Sequence, residues 1–362
     1  MKATAAVLHD LGSSVSLDEI ELDELQDNEV LVKIVGAGIC RTDIESMHGH
    51  IPLPLPTVLG HEGSGIVEAV GTDVENVAPG DHVALSFGHC RECDQCTNGT
   101  PAYCELFAPL NYFGSRMDGS STINDDVAGV YFSQSSWSTY AIATAANTVK
   151  VDKDADLEML GPLGCGLQTG AGAVINVLKP NAGESIAVFG TGGVGLAGIM
   201  AAAALGCDPI IAVDTSNERL ALAKELGATV TINPQETKDI VWDIMGASAP
   251  GLHHALDTTG LGATIQTALA SSRVPSQTVT VGFRDTENMI EIDQFLIMNG
   301  RRLQGVIEGD ADPQEFIPKL IQMQKDGKFP YEKLVKKYRF DEINEAIADF
   351  EAGRVIKPIL TF

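Results

Sequence analysis

The run Gly190-Thr191-Gly192-Gly193-Val194-Gly195 sets the tightest limit on how this chain can fold. It fits G-x-G-x-x-G, follows the apolar run Ser185–Phe189 and opens an apolar, helix-like run through Leu205. On its own such a pattern is weak. In this setting each glycine has a distinct part to play. Gly190 makes the tight turn, Gly192 admits a pyrophosphate to the backbone, and Gly195 lets helix and strand pack closely. Free N–H groups at the helix start, Gly193 among them, then face the phosphates. Asp214, 19 residues beyond the last glycine, ends the next strand-like run and is placed to accept hydrogen bonds from a ribose. Its charge repels a 2′-phosphate, so NAD is expected ahead of NADP.

The same rhythm extends on both sides of Asp214. Pro209–Val213, Thr229–Ile232, His254–Asp257 and Thr278–Gly282 read as strands, and Glu218–Leu226 as a helix. That alternation predicts a parallel sheet with helices on both faces. Before about residue 155 the pattern differs: short β-rich runs such as Val30–Val35, Gly65–Val70 and His82–Leu85, broken by Gly, Pro and Asp, predict a barrel-like or sandwich-like β domain. After about residue 307 come helical stretches at Pro313–Lys325 and Glu342–Ala352 and a strand-like Pro358–Phe362. A chain of 362 residues exceeds the roughly 250–300 at which one core stops growing, so two domains are expected.

Charge and cysteine content narrow the function classes. With 24 Lys+Arg against 49 Asp+Glu, the net charge of −25 argues against nucleic acid and anionic membranes as partners. Such a surface also suits a salty cytoplasm. The first apolar run is too short for a signal segment, and no run reaches the ~20 apolar residues of a membrane span, so a cytoplasmic protein is expected. Seven cysteines in that setting point to metal or catalysis before disulfides.

Cys90, Cys93, Cys96 and Cys104 form C-x2-C-x2-C-x7-C. Four thiolates at this spacing can close a tetrahedral shell, the structural type of zinc site. Iron–sulfur is the competing reading, although seven residues separate the last two cysteines and no proline follows. Cys40, His61 and Cys165 are further residues of metal-ligating type, and nothing in their spacing alone groups them. These three are far apart in the chain. Taken by themselves they also read as a satisfied His–Glu pair at His61-Glu62 and a buried thiol in the glycine-rich run Gly161–Gly170. Cys207 reads as a core thiol.

Taken together, Gly38-Ile39-Cys40-Arg41-Thr42-Asp43, Gly60-His61-Glu62-Gly63, Pro79-Gly80-Asp81, the four-cysteine lobe, Cys165 and the glycine turn resemble the zinc-dependent medium-chain alcohol dehydrogenases over essentially the whole chain. The stretch Gly164–Gly172 looks most like the aryl-alcohol (benzyl alcohol) dehydrogenase branch. The resemblance implies an α/β fold of two domains. One is a GroES-like β-rich catalytic domain, residues 1–166 and 308–362, with a structural-zinc lobe at 90–104. The other is a Rossmann-type doubly wound parallel-sheet domain, residues 167–307, that binds NAD.

It further implies two zinc ions per subunit, a catalytic one on Cys40, His61 and Cys165 and a structural one on the four-cysteine lobe. Asp43 would orient His61, and Glu62 would lie near the metal and briefly replace a ligand. Thr42 would touch the substrate oxygen and begin the proton path. Relatives place a histidine where this chain has Glu45, or where it has Arg41. The distal proton carrier is therefore open among His48, His50, Glu45 and the ribose with water, with His48 placed first. Thr169 and Val194 would pack the nicotinamide, Asp214 and Arg219 would serve the ribose, and Arg41 and Lys357 the pyrophosphate. Lys357 stands where an arginine is more usual. Ile51, Phe87, Phe283 and Ile307, with residues near Phe107–Leu110, would line an apolar pocket.

The expected activity is reversible oxidation of a primary aryl or allylic alcohol to the aldehyde, with hydride passing to NAD. A formaldehyde–thiol adduct such as S-hydroxymethyl-glutathione or its mycothiol counterpart is the alternative substrate, kept open by Arg116. A non-catalytic NAD-binding sensor is the remaining reading. A homodimer or homotetramer is expected, with Leu303–Ile307 as the edge strand that pairs.

Overall fold

In the computed structural model, which describes residues 1–124, 126–284 and 287–362, the chain divides into two units. The first comprises Met1–Cys165, Asp312–Lys319 and Glu332–Phe362, and the second Gly166–Ala311 and Leu320–Tyr331. The helix Pro313–Lys325 therefore begins in the first unit and ends in the second, where Leu320 and Phe329 are fully buried. The expected boundary at 307/308 had assigned that whole tail to the first.

The first unit is built on the strand Glu29–Gly38. Val30, Val32 and Ile34 alternate along it and are buried, as period-2 patterning requires. It pairs antiparallel with Gly63–Val70 on one side and with Tyr140–Thr144 and Lys357–Thr361 on the other. His82–Leu85, Thr148–Val151 and Val335–Arg339 complete a seven-stranded sheet. The strand runs on to Gly38 because glycine is needed at its end: a Cβ on Gly38 would sit 2.0 Å from the Glu62 carboxylate.

The second unit is a six-stranded parallel sheet in the order Val230–Ile232, Ile210–Val213, Ile186–Phe189, Leu252–Asp257, Ser272–Thr280, Arg301–Gly305. All four residues of Ile186–Phe189 are buried, so this strand reads as one apolar run. Phe189 is in register with Val213 on one side and Asp257 on the other. The strand order reverses at that point, and the glycine turn lies at its carboxyl end, where doubly wound sheets hold ligands. The open edge is Arg301–Gly305, two residues earlier than expected. Among the described residues no helix is long and apolar enough to cross a membrane.

Candidate active site

Cys40 leaves the central strand in extended conformation and caps the short helix Arg41–Met47. Asp43 in its first turn is fully buried and serves three donors. Its Oδ2 accepts from the Cys40 backbone N–H at 2.8 Å, and its Oδ1 meets His61 Nδ1 at 2.8 Å and the Gly60 N–H at 3.3 Å. With Nδ1–H given to the carboxylate, the lone pair of His61 lies on Nε2. That atom is buried and has no hydrogen-bond partner. Such a group costs about 1–3 kcal/mol if nothing binds it.

What it faces is a set of metal donors. The sulfurs of Cys40 and Cys165 are 4.0 Å apart. One donor atom from each of Cys40, His61, Glu62 and Cys165 lies within 4.8 Å of the others. Zinc–sulfur bonds of about 2.3 Å in a tetrahedron put two sulfurs about 3.8 Å apart, so the residues fit a zinc ion. The electrostatics agree. Hydrogen bonding from Cys165, with Lys357 nearby, holds Cys40 well below the usual thiol range. Burial works against a charged His61, yet Asp43 and Cys40 together raise its pKa well above the ordinary value. The pocket seeks positive charge, which a divalent ion supplies.

Glu62 is fully buried, and Lys357 Nζ donates to both its oxygens at 2.8 and 2.9 Å and to the Ile39 carbonyl at 3.3 Å. Burial pushes the Glu62 carboxyl up, while Lys357 opposes that shift. Lys357 thus differs from its expected part as an open pyrophosphate cation: it is itself buried, and its ammonium is taken up by Glu62.

The second metal group is closed. The sulfurs of Cys90 and Cys96 are 3.8 Å apart, those of Cys93 and Cys96 3.5 Å, and those of Cys93 and Cys104 4.0 Å. These are the edges of a tetrahedron around one ion. A polynuclear iron–sulfur cluster, with each thiolate on a different iron, needs wider spacing. Backbone N–H groups of Cys90, Cys93 and Leu106 point at these sulfurs and favour thiolates. A hydrogen bond from the Glu105 backbone is the first of several that bring Cys93 down to about 6.

On the proton path, Thr42 lies in the turn beside Cys40, and its carbonyl accepts from Tyr131 Oη at 3.3 Å. Glu45 is buried and its carboxylate holds Arg41 Nε and, at 2.5 Å, His50 Nδ1. His48, placed first from sequence, is instead 45% exposed and paired with Glu351 at 2.8 Å. The reason is local: the helix ends at Met47, Gly49 turns the chain at φ +80°, and the His50 N–H bonds the Glu45 carbonyl at 2.9 Å. The chain folds His50, not His48, back over the buried acid.

Several residues at the site have no signal in the sequence. Phe132 stacks on the His61 imidazole, centroids 4.4 Å apart at 27°, and Tyr131 meets it edge-on at 5.6 Å. Phe107 and Tyr112 pack edge-on against Phe132, and Phe87 packs against Phe107. Gln134 donates to the His61 carbonyl and accepts from the Gly63 N–H, both at 3.0 Å. Phe132, Ser133 and Ser135 all have positive φ. Of the expected pocket residues, Phe87 and Phe107 join this wall and Ile51 is half-buried. Phe283 and Ile307 belong to the second unit, where they are 47% and 44% exposed.

In the second unit Gly190 takes φ +87°, and a Cβ on Gly195 would sit 1.9 Å from the Gly190 carbonyl. Gly192 caps the helix Gly193–Ala204. Asp214 Oδ2 accepts from the Thr191 N–H at 2.7 Å and hydroxyl at 2.9 Å, and Oδ1 from the Ser216 N–H at 2.9 Å. Arg219 is half-buried in the helix Asn217–Glu225 that follows. Thr169 and Val194 are half-buried, and a Cβ on Gly170 would meet the Val194 carbonyl at 1.9 Å, so the two segments touch. Arg116 is engaged elsewhere: it is buried on Glu29 at 2.8 and 2.9 Å and on Asp23 at 2.7 Å. The thiol-adduct reading loses the cation that kept it open.

Comparison with known proteins agrees with this geometry. Residues 26–153 match the alcohol dehydrogenase GroES-like domain, and residues 193–325 the zinc-binding dehydrogenase family. Geraniol dehydrogenase of Castellaniella defragrans is 44% identical over all of this chain and 98% of its own. The benzyl alcohol dehydrogenase structure from Acinetobacter calcoaceticus superposes with a TM-score of 0.97 at 42% identity, covering 100% of this chain and 99% of that one. An alcohol dehydrogenase zinc-binding domain protein from Burkholderia ambifaria gives 0.98 at 43% identity with the same coverage. The site, the fold and these likenesses place the chain in the zinc-binding medium-chain alcohol dehydrogenase family.

Proposed function

We propose that the chain oxidises primary aryl or allylic alcohols reversibly to aldehydes with NAD. The observation that carries this reading is the wall of Phe87, Phe107, Tyr112 and Phe132 beside the donors Cys40, His61 and Cys165. Phe87 and Phe132 are buried behind Phe107 and Tyr112, which are partly buried. A flat π-substrate on those two rings would gain area and ring contact worth about 0.5–1.5 kcal/mol per ring pair, which a short aliphatic alcohol would not. The relatives that act on geraniol and benzyl alcohol support the same class.

Zinc held by Cys40, His61 and Cys165 supplies Lewis acidity that eases loss of the alcohol proton. NAD supplies the hydride acceptor, and the protein orients it. The chain's own residues do the rest. Asp43 fixes the His61 tautomer, so Nε2 is the atom that presents a lone pair to a bound ion. The Thr42 hydroxyl takes the alcohol proton as it gives up its own to water, and the Glu45–His50 pair, with His50 half exposed, is the last carrier to solvent. The aromatic wall keeps bulk water away. Thr169 and Val194 back the nicotinamide. Asp214 holds the ribose: Oδ2 already accepts twice, but Oδ1 accepts once and keeps a lone pair for a hydroxyl. A second copy is expected to pair along the open edge strand Arg301–Gly305.

Metal analysis together with a Thr42→Ala variant tests this. Wild type and variant should each hold two zinc ions per chain, while the variant loses turnover by about 10²–10⁴-fold. Equal turnover removes Thr42 from the path. One zinc per chain favours a non-catalytic relative.

A further inference from the structure

The second unit carries a buried acid that the mechanism above does not use. Glu308 is 7% exposed, and its Oε2 accepts from Gln168 Nε2 at 3.0 Å and from Thr169 Oγ1 at 3.4 Å. The segment that delivers it is built for the purpose. Glu308, Gly309 and Asp310 take φ of +49°, +69° and +48°, three left-handed residues in succession, two of them not glycine. Side chains rarely accept that conformation, and it persists only where the surroundings enforce it. Here they do: a Cβ on Gly309 would lie 2.5 Å from the Gln168 carbonyl, one on Gly172 would lie 2.4 Å from the Gly309 carbonyl, and Asn176 donates to that carbonyl at 3.0 Å.

The position matters as much as the charge. The segment follows the carboxyl end of the edge strand Arg301–Gly305, and the glycine turn follows the carboxyl end of Ile186–Phe189. Both lie at the ligand-binding edge of one parallel sheet. Thr169 links them: its neighbour Gly170 touches the Val194 backbone, and its hydroxyl reaches Glu308.

We propose that Glu308 sets the redox preference of coenzyme binding, its buried carboxylate beside Thr169 favouring the cationic oxidised nicotinamide over the neutral reduced ring. The inference rests on the reading that Thr169 backs the nicotinamide. A negative charge beside the ring would attract NAD+ and leave NADH nearly indifferent, because only the oxidised ring is charged. By linkage the bound couple is then a weaker hydride acceptor, while NADH leaves more readily. Glu308 acts through charge and through its hold on Thr169, so it is a positioning residue, not a catalytic one.

Titrating the zinc-loaded protein with NAD+ and with NADH, in wild type, Glu308→Gln and Glu308→Asp, tests this. In E308Q the Kd for NAD+ should rise about fivefold or more, while the Kd for NADH changes less than about twofold. E308D, which keeps the charge, should hold the wild-type ratio of the two constants. If E308Q does not fold, Glu308→Ser, neutral and smaller, should shift the ratio in the same direction. A shift of both constants by one common factor shows a structural role only and overturns the proposal, as does an unchanged ratio. Failure of wild type to bind either coenzyme overturns the coenzyme reading itself, and this proposal with it.

Discussion

Asp43 joins two donors that are 21 residues apart, Cys40 by its backbone and His61 by its ring. Replacing it with Asn keeps the shape but removes the charge that holds the His61 tautomer. Asp43→Asn should weaken zinc binding by about 10–100-fold in competition with a chelator; unchanged affinity shows that the ring is held by Phe132 and Gln134 instead. Cys40, His61, Cys165 and Asp43 were grouped only through the family resemblance of the motifs that hold them, since nothing in their spacing brings residues so far apart in the chain together. Phe132, Tyr131 and Gln134 were not legible, because a left-handed turn brings them to His61 and such a turn leaves no periodic trace. His48 was placed ahead of His50 for a similar reason. Only the turn at Gly49 decides which one reaches Glu45.

At the scale of elements, the glycine turn was legible because an apolar strand, a helix and an acid surround it in fixed order. Asp214 does more than the sequence implies, since it also anchors Thr191. In Asp214→Gly, kcat/KM with NAD should fall and that with NADP should rise, as measured by reduced-coenzyme absorbance. A wild type that already prefers NADP contradicts the role given to this acid. Strand ends were less legible. Ser272–Thr280 begins and ends before the expected Thr278–Gly282, and its start was hidden because Arg273 and Pro275 break the apolar pattern. Arg116 was read as a possible substrate contact and is instead a buried brace for Glu29. Arg116→Met leaves that carboxylate buried with no cation and only the Gln26 N–H as partner, and should cost about 3–5 kcal/mol in denaturant unfolding. A loss below about 1 kcal/mol would show that water reaches Glu29.

For the whole molecule, the two-unit plan followed from length and from the change of rhythm near residue 155. The return of residues 320–331 to the second unit did not, because an amphipathic helix looks the same whichever core it covers. The net charge of −25 acts at this scale too, since like charges repel across the compact state. Salt should screen that repulsion, so the melting temperature should rise from about 0.01 to 1 M KCl. A flat or falling profile shows that local ion pairs already balance the surface. The central claim concerns what the assembled site oxidises. It is tested most directly by kcat/KM for NAD reduction with benzyl alcohol, geraniol and ethanol. The aromatic wall beside Cys40, His61 and Cys165 calls for the first two to exceed ethanol by at least about tenfold. Faster turnover of ethanol, or no NAD reduction with any of the three by the zinc-replete protein, would contradict it.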